Sequence, residues 1–327
     1  MKKSSIKTLI SILLIVIIFY FLNNSGYLDS IFEIKKQVFL SLLALALLSF
    51  FISGFQMGFM LKEQEKISIT TLDKLLLPIS MSLFGYIIPT NGSMIYSVYF
   101  LKKKYNIDSS KGLSIGLASV YVSFIVSGVF GIILCFFYEN EQNGLILTIY
   151  SGLIFSPKIT AIVNKLQMKI VFKDGGYLKK IQEFINSSVL SSTTLMSNHK
   201  ILIANFIFTG LYIIITFISF SLLNEALSIG LEISTIFLIL IITRVSSLIR
   251  ILPGNLGVEE VYMAGIFKII GQAIEKGVVF SILGRAIALI IIIPFGIAHF
   301  MINLKHVSFK ELKKIKINEV TKKQITK

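Results

Sequence analysis

The sequence predicts an all-α polytopic membrane protein: an inverted-topology repeat with about six full spans and two broken or re-entrant helical hairpins, N-in and C-in. Three observations predict it. Of 327 residues, 54% are hydrophobic and 15% charged, more apolar side chain than a soluble core of that length needs. Apolar stretches of spanning length recur, and two are interrupted at a proline. Lysines gather beside these stretches, as they do on the cytoplasmic side of a membrane. The net charge of +15 therefore reads as membrane anchoring and contact with anionic lipids, not as a nucleic-acid surface.

Lys2, Lys3 and Lys7 precede an apolar run over residues 9–22. No small-x-small cleavage site follows, and Asn23-Asn24-Ser25-Gly26-Tyr27 is a polar turn, so the run is read as an uncleaved first span. Further apolar stretches cover residues 38–61, 75–101, 112–137, 144–156, 201–223, 233–270 and 277–303. A crossing helix takes about 20 residues, so the interrupted stretches 75–101 and 233–270 decide the topology.

The first is broken at Pro89-Thr90-Asn91-Gly92. As a single crossing it would put Lys102-Lys103-Lys104 outside and the acidic loop Glu139-Asn140-Glu141-Gln142 inside, against the positive-inside tendency. As a re-entrant hairpin it places residues 102–111, 158–200 and 305–327 inside, and 139–143 and 225–232 outside. The second, broken at Pro253, starts and ends outside. Its first arm is long enough to cross, so a hairpin and two full spans both stay open and give the same topology.

An internal repeat follows. Val38 pairs with Ile201, Pro89 with Pro253, and Lys111-Gly112 with Lys276-Gly277, at offsets of 163, 164 and 165 residues. The copies enter from opposite sides, with discontinuous segments at equivalent places. One transmembrane domain over residues 1–304 results, with repeats at about 38–137 and 201–303. A lysine-rich, amphipathic connector at about 157–200 joins them, and residues 305–327 form a basic tail.

The chain's three arginines, Arg244, Arg250 and Arg285, all lie in or at the end of apolar stretches, although every other basic residue is a lysine. A charge at a helix centre in lipid costs at least roughly 2.5–3.5 kcal/mol, so the three mark a candidate working site. Broken helices leave backbone groups unpaired at membrane depth, which is tolerated only beside a cavity. Half-helix N-termini after Pro89 and Pro253 add partial positive charge there. The candidate substrate-binding residues are Arg244, Arg250, Pro253, Gly254, Asn255, Gly257, Glu259, Glu260 and Arg285, with Pro89, Asn91, Gly92, Ser93 and Tyr96 from the first copy. Arginine's paired donors fit a lipid phosphate.

Each has a plainer reading. Glu259 and Glu260 suit the first turn of a helix on charge grounds alone, and adjacent side chains differ by about 100°, so at most one is expected to face the arginines. Arg250 also reads as an interfacial anchor, Arg285 with Glu260 as a structural ion pair, and Asn91 and Asn255 as helix caps. His299 sits near the cytoplasmic end of its span and is assigned an interfacial role. His199 and His306 lie in lysine-rich segments, and the one cysteine, Cys135, in an apolar one; no metal site and no cofactor is expected.

The run Pro253-Gly254-Asn255-Leu256-Gly257-Val258-Glu259-Glu260, followed by Arg285 and by Pro294-Phe295-Gly296, resembles the Pro-Gly-Gly-Leu-Gly-x-x-Glu signature of the lysylphosphatidylglycerol synthase transmembrane, or flippase-like, family. The resemblance includes residues 89–119 and extends over 38–303. Glu260 matches the signature acid and Arg285 the arginine of the following helix. The first copy departs from the pattern: Gly92-Ser93-Met94-Ile95-Tyr96 stands where the family usually has Gly-Glu-x-x-Arg, and Ser123-Phe124 where an acid and an arginine often follow. Hydroxyls replace charges there.

The resemblance implies translocation of phospholipids or of polyprenyl- or lipid-linked sugars. The lysine-rich tail after Asn303 leaves no room for the aminoacyl-transferase domain of the full synthase, so lysyl-lipid synthesis is not expected. The expected activity is binding an anionic phospholipid or lipid-linked glycan and exchanging it between leaflets of a bacterial-type plasma membrane, not catalysis. No nucleotide-binding motif accompanies it. The alternatives are an accessory subunit of a glycosyltransferase or lipid-modifying transferase, and a membrane-embedded transferase with Glu260 as base, which lacks an acidic metal-binding cluster.

Overall fold

The computed structural model describes residues 34–88, 92–137, 197–246 and 253–305. Its elements are α1 (Lys36–Glu65), α2 (Thr71–Ile87), α3 (Gly92–Tyr105), α4 (Ser109–Phe137), α5 (His199–Ala226), α6 (Ile233–Ser246), a 3-10 turn (Pro253–Asn255), α7 (Val258–Ile269) and α8 (Ile274–Ile302). There is no strand among the described residues. α1, α4, α5 and α8 are long and apolar enough to cross a membrane, as expected of an integral membrane protein. The predicted first span at 9–22, the loop 139–143, the segment 144–156, almost all of the connector and the tail beyond residue 305 lie outside the described residues.

The repeat reappears as a rhythm of helix lengths. A long helix, two short ones and a long one have 30, 17, 14 and 29 residues; the second set has 28, 14, 12 and 29. Successive starts, Lys36 and His199, Thr71 and Ile233, Gly92 and Val258, Ser109 and Ile274, are offset by 163, 162, 166 and 165 residues. The 12 residues of α7 rise roughly 18 Å, against a hydrocarbon thickness of roughly 30 Å.

The chain divides into two compact units. The first takes its described residues from 34–51, 76–88, 92–93 and 213–299. Its core joins Leu42, Leu223, Ile239, Met263, Phe267, Phe280 and Leu283, with Phe220 edge-on to Phe280 at 5.1 Å. Lipid tails are as apolar as these side chains, so close packing, not escape from water, holds such helices together. Gly277 shows how close: a Cβ there would stand 2.7 Å from the Met263 carbonyl oxygen and 2.8 Å from the Phe267 ring. The α5–α6 turn closes on itself, with Asn224 Oδ1 accepting the Leu231 N–H at 2.8 Å and Asn224 Nδ2 donating to the Leu231 carbonyl at 3.3 Å.

The second unit comprises described residues of 52–75, 94–137, 197–212 and 300–305. Polar contacts fix its helices. Gln56 Nε2 on α1 donates to Asn205 Oδ1 and, at 3.2 Å, to Thr209 Oγ1 on α5. Asp73, 0% exposed, receives Lys104 Nζ at 2.7 Å and the Tyr105 hydroxyl, while Lys104 also donates to Asn303 Oδ1 at 2.7 Å. Lys111 and Glu65 pair at 2.6 Å.

Candidate functional site

The break before α7 is built from residues that tolerate a left-handed backbone. Gly254, Asn255 and Gly257 have φ of 58°, 51° and 82°, a region costly for most side chains and open to glycine and, less readily, asparagine. Gly254 is required twice over, because a Cβ there would collide with the Tyr86 ring of α2. These turns set the start of α7 so that Glu259 and Glu260 fall in its first turn, beside Arg285 of α8.

Both carboxylates engage that arginine. Nη2 of Arg285 donates to Glu259 Oε2 at 2.7 Å and reaches the Asn255 carbonyl at 3.5 Å. Nη1 lies 2.8 Å from Glu260 Oε1, an ion-pair contact without hydrogen-bond direction. Glu260 Oε2 meanwhile accepts the Gly257 N–H at 2.8 Å. This corrects the expectation that at most one acid faces an arginine. The two Cα–Cβ directions do diverge, but the guanidinium is a fork whose ends reach separate side chains.

The chemistry differs from an open anion site in two ways. The positive end of α7 is already answered by the chain's own Glu260 carboxylate, and one guanidinium faces two acids, leaving a net negative charge if both are ionised. Arg285 is 9% exposed and Glu260 5%, whereas the Glu259 side chain is 34% exposed. Arg285 Nε and Asn255 Oδ1 are buried without a hydrogen-bond partner. Asn255 therefore does not cap α7 through its side-chain oxygen; Gly257 is the N-cap, and Glu260 satisfies its N–H.

Other predicted residues are placed as follows. Arg244 is partly buried on α6, in the unit that holds Arg285. Gly92 and Ser93 belong to that unit too, but Tyr96 lies in the other, fully buried with its ring 5.9 Å from Phe100. Pro253 opens the 3-10 turn. Pro89, Asn91 and Arg250 lie outside the described residues.

His299 is buried in the protein, not exposed at a surface. It is 0% exposed, its Nδ1 is 2.7 Å from Ser80 Oγ, and Ser80 also donates to the Gly296 carbonyl at 3.3 Å. Sequence reasoning also missed Tyr86, which packs on Gly254 and lies within electrostatic reach of Arg285. One signal was available: Tyr86 stands 164 residues before Arg250, the repeat offset that pairs Pro89 with Pro253. No group of three or more metal-ligating side chains occurs among the described residues.

Two sets of four helices in a repeated order, four of them long and apolar enough to cross a membrane, with a break before α7 that seats two acids on an arginine of α8, describe an integral membrane protein with a charged cluster beside a short helix. The sequence matches the lysylphosphatidylglycerol synthase TM region over residues 4–296, and the chain belongs to that family, whose members are membrane proteins associated with lipid metabolism. No curated protein and no solved structure matches it.

Proposed function

We propose that the protein binds an anionic lipid headgroup, of a phospholipid or a polyprenyl- or lipid-linked glycan, and exchanges it between leaflets of a bacterial-type plasma membrane. The observation that supports this most is Arg285: a permanent charge held inside an apolar helix, with two acids and an unpartnered Nε around it. A helix that needed only packing would not keep three ionisable groups there. The short helices α2–α3 and α6–α7 are read as opposed re-entrant hairpins, which give a phosphate a polar path through hydrocarbon. Arg244 and Arg250 supply further countercharge. The protein is not itself a transferase in this reading.

The test is exchange of fluorescent phosphatidylglycerol, and separately of a fluorescent polyprenyl phosphate, in phosphatidylcholine vesicles holding the purified full-length chain. Wild type speeds loss of signal to an impermeant reductant, and Arg285→Lys, which keeps charge but not the fork, slows it roughly tenfold or more. Rates equal to protein-free vesicles for both lipids would overturn the reading. A second reading, an accessory subunit of a glycosyltransferase or lipid-modifying transferase, draws on the first copy's motif, which has hydroxyls where the family has charges and where Tyr96 is packed away. It gains if wild type exchanges neither lipid yet co-purifies with such an enzyme.

A further inference from the structure

We propose that anion binding at Arg285 is proton-linked: Glu259 takes up a proton as a lipid phosphate displaces it from the guanidinium, so each anion carries a proton into the site. This rests on the anionic-headgroup reading above. Each terminal nitrogen of Arg285 meets a carboxylate, Nη2 through a hydrogen bond to Glu259 at 2.7 Å and Nη1 through an ion-pair contact with Glu260 at 2.8 Å. A phosphate can take a two-pronged hold on the end of the fork, between Nη1 and Nη2, only when a carboxylate leaves.

The two acids are not equivalent. Glu260 is anchored twice, on Arg285 and on the Gly257 N–H, and its side chain is 6% exposed. Glu259 is held by Arg285 and is exposed enough to swing away. Glu259 is therefore the acid that yields.

Charge then requires the proton. With both acids ionised the cluster is already net negative, and a phosphate would add a second negative charge around one guanidinium in a medium that screens poorly. Two other groups bear on the pair from neighbouring elements: Tyr86 of α2, within electrostatic reach of Arg285, and Arg244 of α6, in the same unit. Protonation turns Glu259 from an acceptor into a donor, so the acid that blocked the phosphate can hydrogen-bond to it. Linkage fixes the sign: if the competent form holds one more proton, anion affinity falls as pH rises.

The experiment is calorimetric titration of the detergent-solubilised full-length chain with short-chain phosphatidylglycerol, in buffers of differing ionisation heat, from about pH 5 to about pH 9. Wild type takes up close to one proton per lipid where Glu259 starts ionised, and its affinity weakens by up to about tenfold per pH unit. Glu259→Gln, a near-isosteric copy of the protonated acid, binds with no proton uptake and a flat pH profile. Wild-type binding with no proton uptake at any pH would overturn the coupling and leave the anion site standing, and that readout needs no variant to fold. Full proton uptake by Glu259→Gln would overturn the assignment to Glu259. No binding at any pH would bring down the anion reading itself, and the coupling with it.

Discussion

Two buried charge clusters invite comparison. On α2 and α3, Asp73 and Lys104 pair at 2.7 Å with further partners closing the network: the Tyr105 hydroxyl on Asp73, and Asn303 for Lys104. Lys104 also lies over the Phe100 ring, 5.4 Å from its centroid. Around α7 and α8 the stoichiometry is one guanidinium to two acids, and three polar atoms, Arg285 Nε, Arg285 Nη1 and Asn255 Oδ1, have no hydrogen bond. A balanced, satisfied network has nothing left to bind and serves as a bolt. An unbalanced one keeps capacity for another charge, which is the property the proposed site uses.

The largest expected effect breaks both clusters and watches how they recover. Arg285→Met and Lys104→Met each leave buried carboxylates without their cation and destabilise by roughly 3–5 kcal/mol, measured by unfolding in detergent. Neutralising the partners restores stability in both cases. Lipid exchange returns only in the Asp73→Asn/Lys104→Met pair; its return in Arg285→Met with Glu259→Gln and Glu260→Gln would erase the distinction.

A smaller effect sharpens the comparison at the backbone. Gly254→Ala costs roughly 1–2 kcal/mol for the left-handed residue and roughly 1–3 kcal/mol for crowding Tyr86. Adding Tyr86→Ala relieves the crowding alone, so a double variant no more stable than Gly254→Ala would show that the ring is not the obstacle.

The smallest concerns neutral glue. Gln56→Leu removes the bonds to Asn205 and Thr209, for roughly 0.6 kcal/mol on average for such contacts in membranes, with exchange unchanged. A loss as large as that of the Lys104 variant would place this contact among the bolts.

How much of this could be read from the chain depended on the physics involved. Apolar length and the offset of the breaks are local sums over residues, so the spans α1, α4, α5 and α8 and the repeat were legible. The pairing of Arg285 with Glu260 was legible as a candidate because an intramembrane charge needs a partner. Glu259 was not, since the 100° rule describes where side chains leave a helix and not how far an arginine fork reaches back to them. Lys104 was hidden in a run of three lysines that all read as interfacial, and nothing local says which one finds Asp73. His299 failed for the same reason: proximity to a polar terminus does not reveal that Ser80, 219 residues away in sequence, removes it from the surface.

The bonds from Gln56 to Asn205 and Thr209 join the opening helix of one repeat to the opening helix of the other, across 149 and 153 residues of chain. They form a seam between halves that need not have been born in one polypeptide. A gene cut between residues 138 and 196 would yield two fragments, each with four described helices and its own side of the seam. Their reassembly in a cell would show that the two repeats can find each other as separate chains.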